Sequence, residues 1–337
     1  MFFNKKVLVT GGAGFIGSHI VDALVKNNCQ VRVLDNFSSG KLDNLSGVSG
    51  KVKIIKGDIC DRDTCRKAVS GVDVVFHQAA LRSVPKSMKN PDVYNKVNIG
   101  GILNMLEASR ENNVKAFVFA SSSSVYGDVS KFPEKESFFP GPISPYALSK
   151  LAGEYYCKIF SLHYGVPAVS LRYFNVFGPR QSLDDEYAVV VPKFIDCLLR
   201  DNAMPIYGTG RQSRDFTFVA NAVQANLLAA SCALKGKVKS GVFNVAGGRD
   251  YSVLELASIL NKILGKKIKP VFLPKRQGDV FRTKADLTLS KKLLGFKPQV
   301  NFTEGLKITV EYFQLSAVSL QPSAKNKDNN KNGNTKV

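Results

Sequence analysis

Tyr146 and Lys150 stand four residues apart. On a helix those positions share one face, so a phenol and an ammonium would project side by side. Free tyrosine ionises near pH ~10, too high for a base at neutral pH, and a neighbouring cation favours the phenolate. Upstream, an apolar segment runs into Ser121-Ser122-Ser123-Ser124-Val125-Tyr126-Gly127. A hydroxyl from that run could share a substrate's proton with the tyrosine. Alone, each feature is ordinary: the Tyr/Lys spacing arises by chance, and a serine run can be a polar turn. Beside a cofactor site they become a proton-transfer catalyst.

The start of the chain supplies such a site. Gly11-Gly12-Ala13-Gly14-Phe15-Ile16-Gly17 follows the apolar run Val7-Leu8-Val9 and opens a segment of helical apolar spacing that reaches Lys26. Strand, glycine turn and helix together cradle a pyrophosphate. One glycine allows a tight turn, one lets the backbone approach the phosphates, and one lets the helix pack on the strand. The helix N-terminus then faces the anion. The next apolar run, Gln30 to Leu34, ends in Asp35, at the distance of about 20 residues expected for an acid that takes ribose hydroxyls.

The elements that must position these groups alternate along the first half. Strands are expected at Val7–Thr10, Val31–Asp35, Val52–Lys56, Val72–Gln78, Ala116–Ser121 and Ala168–Tyr173. Most are continuous apolar runs, as for strands buried on both faces. Helices are expected at Ser18–Asn27, Asp61–Val69, Asp92–Asn112 and Pro145–His163. The fold class is α/β, a Rossmann-type doubly wound parallel sheet, with ligand sites at the carboxyl ends of its strands.

After Asn175 the pattern loosens. Helices are expected at Val189–Leu199, Ala222–Leu234 and Ser252–Leu264, the last with Ser252 and Glu255 as a capping box. A strand is expected at Val242–Val245. The expected division gives residues 1–174 to the dinucleotide, with 216–246 returning to that domain. Residues 175–215 and 247–315 form a smaller C-terminal α/β substrate domain that closes over it. From about Ser316 the chain is rich in Lys and Asn and loses its apolar period, so 316–337 reads as a disordered tail.

Composition narrows the partners. The chain has 337 residues, 44% of them hydrophobic, with 47 basic and 27 acidic residues for a net charge of +20. The basic residues are dispersed along the chain, without a basic helix or an aromatic–basic alternation. This favours anionic small ligands over nucleic acid. No apolar run is long enough to span a bilayer, so no membrane partner is expected. Six scattered cysteines without a C-x-x-C pair suit a reduced, cytoplasmic protein. No metal site is expected.

The chain resembles the extended short-chain dehydrogenase/reductase family, specifically its nucleotide-sugar epimerases and dehydratases. The resemblance runs from Lys5 to about Phe313. It rests on Thr10 to Ser18, Leu34-Asp35-Asn36, Gly57-Asp58-Ile59, His77-Gln78-Ala79-Ala80, Ser122 to Asp128, Tyr146 to Lys150, Arg172-Tyr173-Phe174-Asn175, Arg214-Asp215-Phe216 and Arg276-Gln277-Gly278-Asp279. It implies NAD as cofactor. Gly11, Gly14, Phe15, Ile16, Gly17, Asp35, Asn36, Ser38, Gly40, Asp58, Ile59, Gln78, Ala79, Ala80, Arg82, Asn98, Tyr146, Lys150 and Tyr173 would surround it. An acid at position 35 favours NAD over NADP. Ser122 would be the catalytic hydroxyl, Tyr146 the base and Lys150 its electrostatic partner. His77 reads as a structural hydrogen-bond group. For a UDP-sugar, Asn175, Arg214 and Arg276 would hold the diphosphate, Tyr207 would stack on uracil and Asp279 would take the ribose. Ser83, Ser122, Ser123, Tyr146 and Thr283 would line the sugar pocket. The family also implies a homodimer through a four-helix interface made by the segments 92–112 and 145–163.

The serine run discriminates between reactions. The family's 4,6-dehydratases carry Asp and Glu at the two positions after the catalytic hydroxyl, and its uronate decarboxylases carry a Glu there. Here those positions are Ser123 and Ser124. No acid is available for elimination, which leaves oxidation and re-reduction at one carbon, an epimerisation. The segment Arg172 to Lys193 and the segment His77 to Lys86 most resemble the N-acetylhexosamine 4-epimerases. Strict glucose epimerases carry a bulky tyrosine four residues after Asp279, where this chain has Thr283. A UDP-N-acetylglucosamine 4-epimerase is therefore expected. UDP-glucose and UDP-glucuronate 4-epimerases are the alternatives, and a non-catalytic NAD(H)-binding regulator is the remote one.

Overall fold

The computed structural model describes residues 4–182, 190–275 and 280–319. Seven parallel strands form its central sheet: β1 (Lys6–Thr10), β2 (Gln30–Asp35), β3 (Val52–Lys56), β4 (Val74–His77), β5 (Ala116–Ser122), β6 (Ala168–Tyr173) and β7 (Ser240–Val245). Their order is β7-β6-β5-β4-β1-β2-β3. The chain winds outward one way through β2 and β3, then returns to start the other way at β4. Between β1 and β4 the direction reverses, and a crevice opens at their carboxyl ends.

The apolar runs explain which strands are central. β1, β4, β5 and β6 are buried along nearly their whole length. β3, with its sequence VKIIK, is the exception: it is an edge strand, with Lys53, Ile54 and Lys56 exposed. Helices α1 (Phe15–Lys26), α2 (Arg62–Val69), α3 (Gly101–Glu111) and α4 (Pro145–His163) fall close to the expected positions. The helix expected over Asp92–Asn112 is segmented: Pro91–Tyr94, then a wider π turn over Asn95–Gly100, then α3. The two sheet faces are filled by separate apolar clusters, one around Val9, Ile20 and Phe76, the other around Leu8, Ile102 and Phe117.

A third cluster holds the remaining helices together. α5 (Val190–Leu199), α7 (Val253–Leu264) and α8 (Phe302–Ser319) meet around Phe177, Phe194, Leu256 and Phe302. α6 (Val219–Leu234) belongs instead to the sheet, where it packs against α1, β5 and β6. The capping box at the start of α7 is formed: the Glu255 N–H donates to Ser252 Oγ at 3.1 Å, and the Ser252 N–H donates to Glu255 Oε2 at 2.7 Å. The expected break at Ser316 falls inside α8, which runs to Ser319. The rest of the proposed tail lies outside the described residues.

Candidate active site

A cleft of about 1030 Å³ opens at the carboxyl ends of the central strands. Gly11, Gly14, Phe15, Ile16, Gly17, Asp35, Asn36, Ser38, Gly40, Asp58, Ile59, Gln78, Ala79, Ala80, Arg82, Tyr146, Lys150 and Tyr173 all line it. The glycines are needed for space. Gly11 has φ +64°, and a Cβ there would lie 2.8 Å from the Ala79 nitrogen. A Cβ on Gly17 would lie 2.1 Å from the Gly11 carbonyl oxygen. The first turn of α1 has no side-chain cap at Gly14 and no acidic residue, so the positive end of its backbone is left for an anion. At the end of β2, the Ala13 N–H donates to Asp35 Oδ2 at 2.9 Å and the Phe37 N–H donates to Oδ1 at 2.8 Å. The Asn36 amide donates to Asp58 Oδ2 at 2.9 Å, joining the ends of β2 and β3. An uncapped helix end beside a glycine cradle, with a fixed carboxylate one strand away, fits NAD.

Tyr146 enters the cleft from the first turn of α4. Ser144 caps that helix by accepting the Ala147 N–H at 3.1 Å, and Pro145 opens it. Lys150 follows one turn later, buried, its Nζ donating to the Ala120 carbonyl at 2.8 Å. That ammonium stands 5.1 Å from the centre of the Phe119 ring and 6.0 Å from that of Tyr146. Ser122 ends β5 and accepts from Ser124, at 3.2 Å from its N–H and 2.9 Å from its hydroxyl. Burial pushes the Tyr146 phenol up; a hydrogen bond with Ser122 and the charge of Arg82 pull the other way. Burial pulls Lys150 down to about 7. In the protein alone, then, desolvation dominates both groups. Attraction from Lys150 does not by itself lower the phenol.

One more turn along the same face of α4 stands Glu154, which the sequence reading did not single out. Its carboxylate accepts two hydrogen bonds from Arg172 on β6, at 2.8 and 2.7 Å, and one from Ser121 Oγ at 2.5 Å. The Arg172 guanidinium lies 4.5 Å from the Tyr126 ring centre. This clamp fixes α4, which carries Tyr146 and Lys150, against β5 and β6. His77 is buried with Nδ1 2.8 Å from Thr10 Oγ1. Burial, with the charge of Lys150, holds it down at about 3, so it is a neutral structural group.

Asn98 is buried beside the cleft. It does not line the cleft; its carboxamide exchanges hydrogen bonds with the backbone of Leu81 at 2.8 and 3.0 Å and donates to Ser149 at 3.0 Å. This buried amide, satisfied on both sides, holds the cleft-lining 79–82 loop in place.

Of the substrate-side residues, none of Ser83, Ser123, Asn175, Tyr207, Arg214 and Thr283 is among those lining this cleft, and the structure joins Asn175 to Thr283 directly. Asn175 Nδ2 donates to Thr283 Oγ1 at 3.1 Å, and the Asp215 N–H donates to the same oxygen at 3.3 Å. Arg214 Nη1 donates to the carbonyls of Ser213 at 2.8 Å and Phe281 at 3.2 Å. Asp215 turns its carboxylate to the N–H groups of Gly248 and Ala285, at 3.0 and 3.2 Å, and burial pushes it up to about 7. Ser83 caps the short helix Val84–Lys89 with φ +104°, and Ser123 opens the turn after Ser122. Tyr207 ends the short strand Pro205–Tyr207, paired with Val271–Leu273. Arg276 and Asp279 lie outside the described residues.

Other cleft residues were not anticipated. Arg180, within the segment Arg172 to Lys193, lines the cleft and pairs with Asp22 of α1 at 2.8 Å. Tyr312 and Phe313 of α8 also wall it; nothing local in a C-terminal helix announces contact with a glycine turn some 300 residues earlier. Among the described residues, no three His, Cys, Asp or Glu side chains converge on a metal site. No helix among them is long and apolar enough to cross a membrane.

Known proteins share this arrangement. A UDP-N-acetylglucosamine 4-epimerase from Methanobrevibacter ruminantium M1, solved with UDP-N-acetylmuramic acid, is 43% identical with a TM-score of 0.89, covering 93% of this chain and 99% of that one. A UDP-glucose 4-epimerase from Thermotoga maritima, solved with UDP-glucose, is 41% identical with a TM-score of 0.86 over 93% and 99%. A UDP-glucuronic acid 4-epimerase from Bacillus cereus, solved with UDP-glucuronic acid and NAD, is 34% identical with a TM-score of 0.85 over 92% and 99%. The family model described as "NAD dependent epimerase/dehydratase family" matches residues 7–246, which span the glycine turn, the serine run and the Tyr146/Lys150 pair. The chain therefore belongs to the NAD dependent epimerase/dehydratase family, among its NAD-dependent nucleotide-sugar epimerases.

Proposed function

We propose that this enzyme interconverts UDP-N-acetylglucosamine and UDP-N-acetylgalactosamine by inverting carbon 4 of the sugar. The observation that carries the sugar assignment is the Thr283–Asn175 contact at 3.1 Å. It ties Thr283 to Asn175, an expected diphosphate residue, and so sets it beside the UDP-sugar site; a threonine there is smaller than the tyrosine of strict glucose epimerases and would leave room for an acetamido group. The 43% identity to a UDP-N-acetylglucosamine 4-epimerase supports the same reading. NAD, when bound, supplies the oxidising and reducing equivalents, so no net redox change occurs.

The chain's own groups do the rest. Tyr146 takes the proton of the sugar 4-hydroxyl and returns it, and Ser122 shares that proton through its hydrogen bond. Lys150, held at the Ala120 carbonyl, carries the charge that burial makes easy to exchange. The glycine cradle and Asp35 hold the dinucleotide. Asn175, Arg214 and Arg276 hold the UDP diphosphate, where a guanidinium fork suits paired anionic oxygens. Tyr207 and Asp279 hold the nucleoside, and Ser83 and Ser123 the sugar. Residues 1–174 with 216–246 act as the cofactor domain; 175–215 and 247–315 form the substrate domain. A second copy covers α4, where Leu148, Tyr155, Ile159 and Leu162 are 42–64% exposed on one side of the helix. Light scattering should report a dimer, and Tyr155→Asp with Ile159→Asp a monomer.

The test is kcat/KM for UDP-N-acetylglucosamine, UDP-glucose and UDP-glucuronate, with products identified by NMR. The acetamido sugar should be preferred. Thr283→Tyr should move the ratio toward glucose by roughly ten- to two-hundredfold, the range for one steric change in a pocket. An unmoved ratio removes Thr283 as the gate, and turnover of UDP-glucuronate alone overturns the substrate assignment.

A further inference from the structure

The end of the sheet opposite the cleft is unusually basic. In a parallel sheet all strands start at that end, and the register sets the starts level: Lys6 beside Gln30, Val31 beside Val52, Val74 beside Ala116, and Ala168 beside Ser240. Lysines stand at or just before four of the seven starts. Lys239 precedes β7, Lys115 precedes β5, Lys6 opens β1 and Lys51 precedes β3, with Lys53 and Lys237 beside them. All six are exposed. The row runs from one edge of the sheet to the other. Six inter-strand steps of about 4.8 Å make it about 29 Å long.

Two ordinary explanations do not account for the row as a whole. Lysines at helix C-termini offset the negative end of the helix, and Lys26 and Lys67 do that for α1 and α2. That effect is confined to the last turn: Lys115 and Lys239 stand four and five residues past the ends of α3 and α6, while Lys237, whose N–H donates to the Cys232 carbonyl at 2.9 Å, does stand at the end of α6. Nor do the six lysines balance acids. None forms an ion pair among the described residues. The acids in the loops at this end are Asp73 and Glu111, and both are engaged, Asp73 by the Lys6 N–H at 3.0 Å and Glu111 by Arg66 at 2.9 Å. A depression of about 620 Å³ among Lys6, Lys51 and Lys53 adds a place for an anionic group.

We propose that this lysine row is a docking surface for an anionic phospholipid bilayer. The row crosses the whole sheet at its strand starts, with a depression at one part only, so an extended array of negative charge meets it along its length. Single-stranded nucleic acid would want aromatic faces for its bases. The exposed Tyr164 at this end lies 5.2 Å beneath the Arg110 guanidinium and packs on Phe160, so its ring is taken. Arg32, the arginine of the depression, donates to the carbonyls of Ala68 and Ser70 at 2.6 and 3.0 Å. Docked this way, the catalytic cleft at the opposite ends of the strands faces away from the membrane and stays open to soluble nucleotide sugars.

The test is flotation of the full chain with phosphatidylcholine vesicles, with and without phosphatidylglycerol. Binding should require the anionic lipid. It should fade as salt shortens the screening length from about 10 Å at 0.1 M to about 3 Å at 1 M. The triple variant Lys6→Glu/Lys115→Glu/Lys239→Glu should lower the partition at least about a hundredfold, from roughly fivefold per lysine at an anionic surface. Its epimerase turnover should be unchanged. The triple variant Lys262→Glu/Lys267→Glu/Lys269→Glu, at the end of α7, carries the same charge change and should bind as the wild type does. Equal loss in both triples would mean that net charge alone, not this face, attracts the vesicles, and would overturn the proposal. So would indifference to phosphatidylglycerol, or binding of single-stranded RNA through the same lysines without vesicle binding.

Discussion

Glu154→Gln is the substitution whose cost the geometry fixes most closely. Glu154 and Arg172 are 5% and 4% exposed, and the carboxylate takes two guanidinium hydrogen bonds and one from Ser121. One guanidinium nitrogen, Nη1, is buried without a hydrogen-bond partner. Gln at 154 keeps an acceptor oxygen but removes the negative charge that compensates the buried guanidinium. Leaving one charge of a buried pair uncompensated costs about 3–5 kcal/mol. At about 2–4 °C per kcal/mol for domains near this size, the apparent Tm should fall by about 6–20 °C in near-UV circular dichroism. Since Tyr146, Lys150 and Glu154 share one helix face, kcat should also fall well below the new Tm. A misplacement of about 1 Å can cost a hundredfold. Glu154→Leu with Arg172→Met removes both charges and should recover most of the stability. A loss below about 1 kcal/mol in Glu154→Gln, within the range of ordinary surface changes and typical hydrogen bonds, would refute the clamp.

Three further outcomes follow from the site. Tyr146→Phe keeps the ring packed but removes the exchangeable proton; turnover should drop by about a hundredfold or more, with bound NAD retained in the absorbance spectrum. Asp35→Ala should narrow the preference for NAD over NADP, measured by titration of both, because the carboxylate no longer repels a 2′-phosphate; an unchanged preference would move that role elsewhere. Burial raises Asp215 and Glu134, a buried acid that accepts the Lys284 N–H at 2.9 Å, to about 7, so the folded state holds protons there that the unfolded state releases near pH ~4. Their stabilising contribution is complete below that unfolded value and disappears as pH rises through about 7. Apparent Tm should decline over that window, and Glu134→Gln with Asp215→Asn should flatten the decline.

Local pattern made the cofactor half legible. The glycine turn, the alternating apolar runs and Asp35 all sit within one strand–helix–strand unit, whose hydrogen bonds and side-chain periods span a few residues. Tyr146 and Lys150 were readable for the same reason, because one helical turn joins them. The tie between Asn98 and Leu81 was not readable, because it depends on how the π turn over Asn95–Gly100 meets the 79–82 loop, which no local period encodes. The Glu154–Arg172 clamp, the approach of Arg180, Tyr312 and Phe313 to the glycine turn, and the union of Thr283 with Asn175 join residues from 18 to about 300 positions apart. The dispersed lysines became a row only when parallel strands brought their starts to one end of the sheet. Sequence sets the period and chemistry of each element. Packing decides which ends of those elements share a surface, because buried area and paired buried charge are properties of the folded whole.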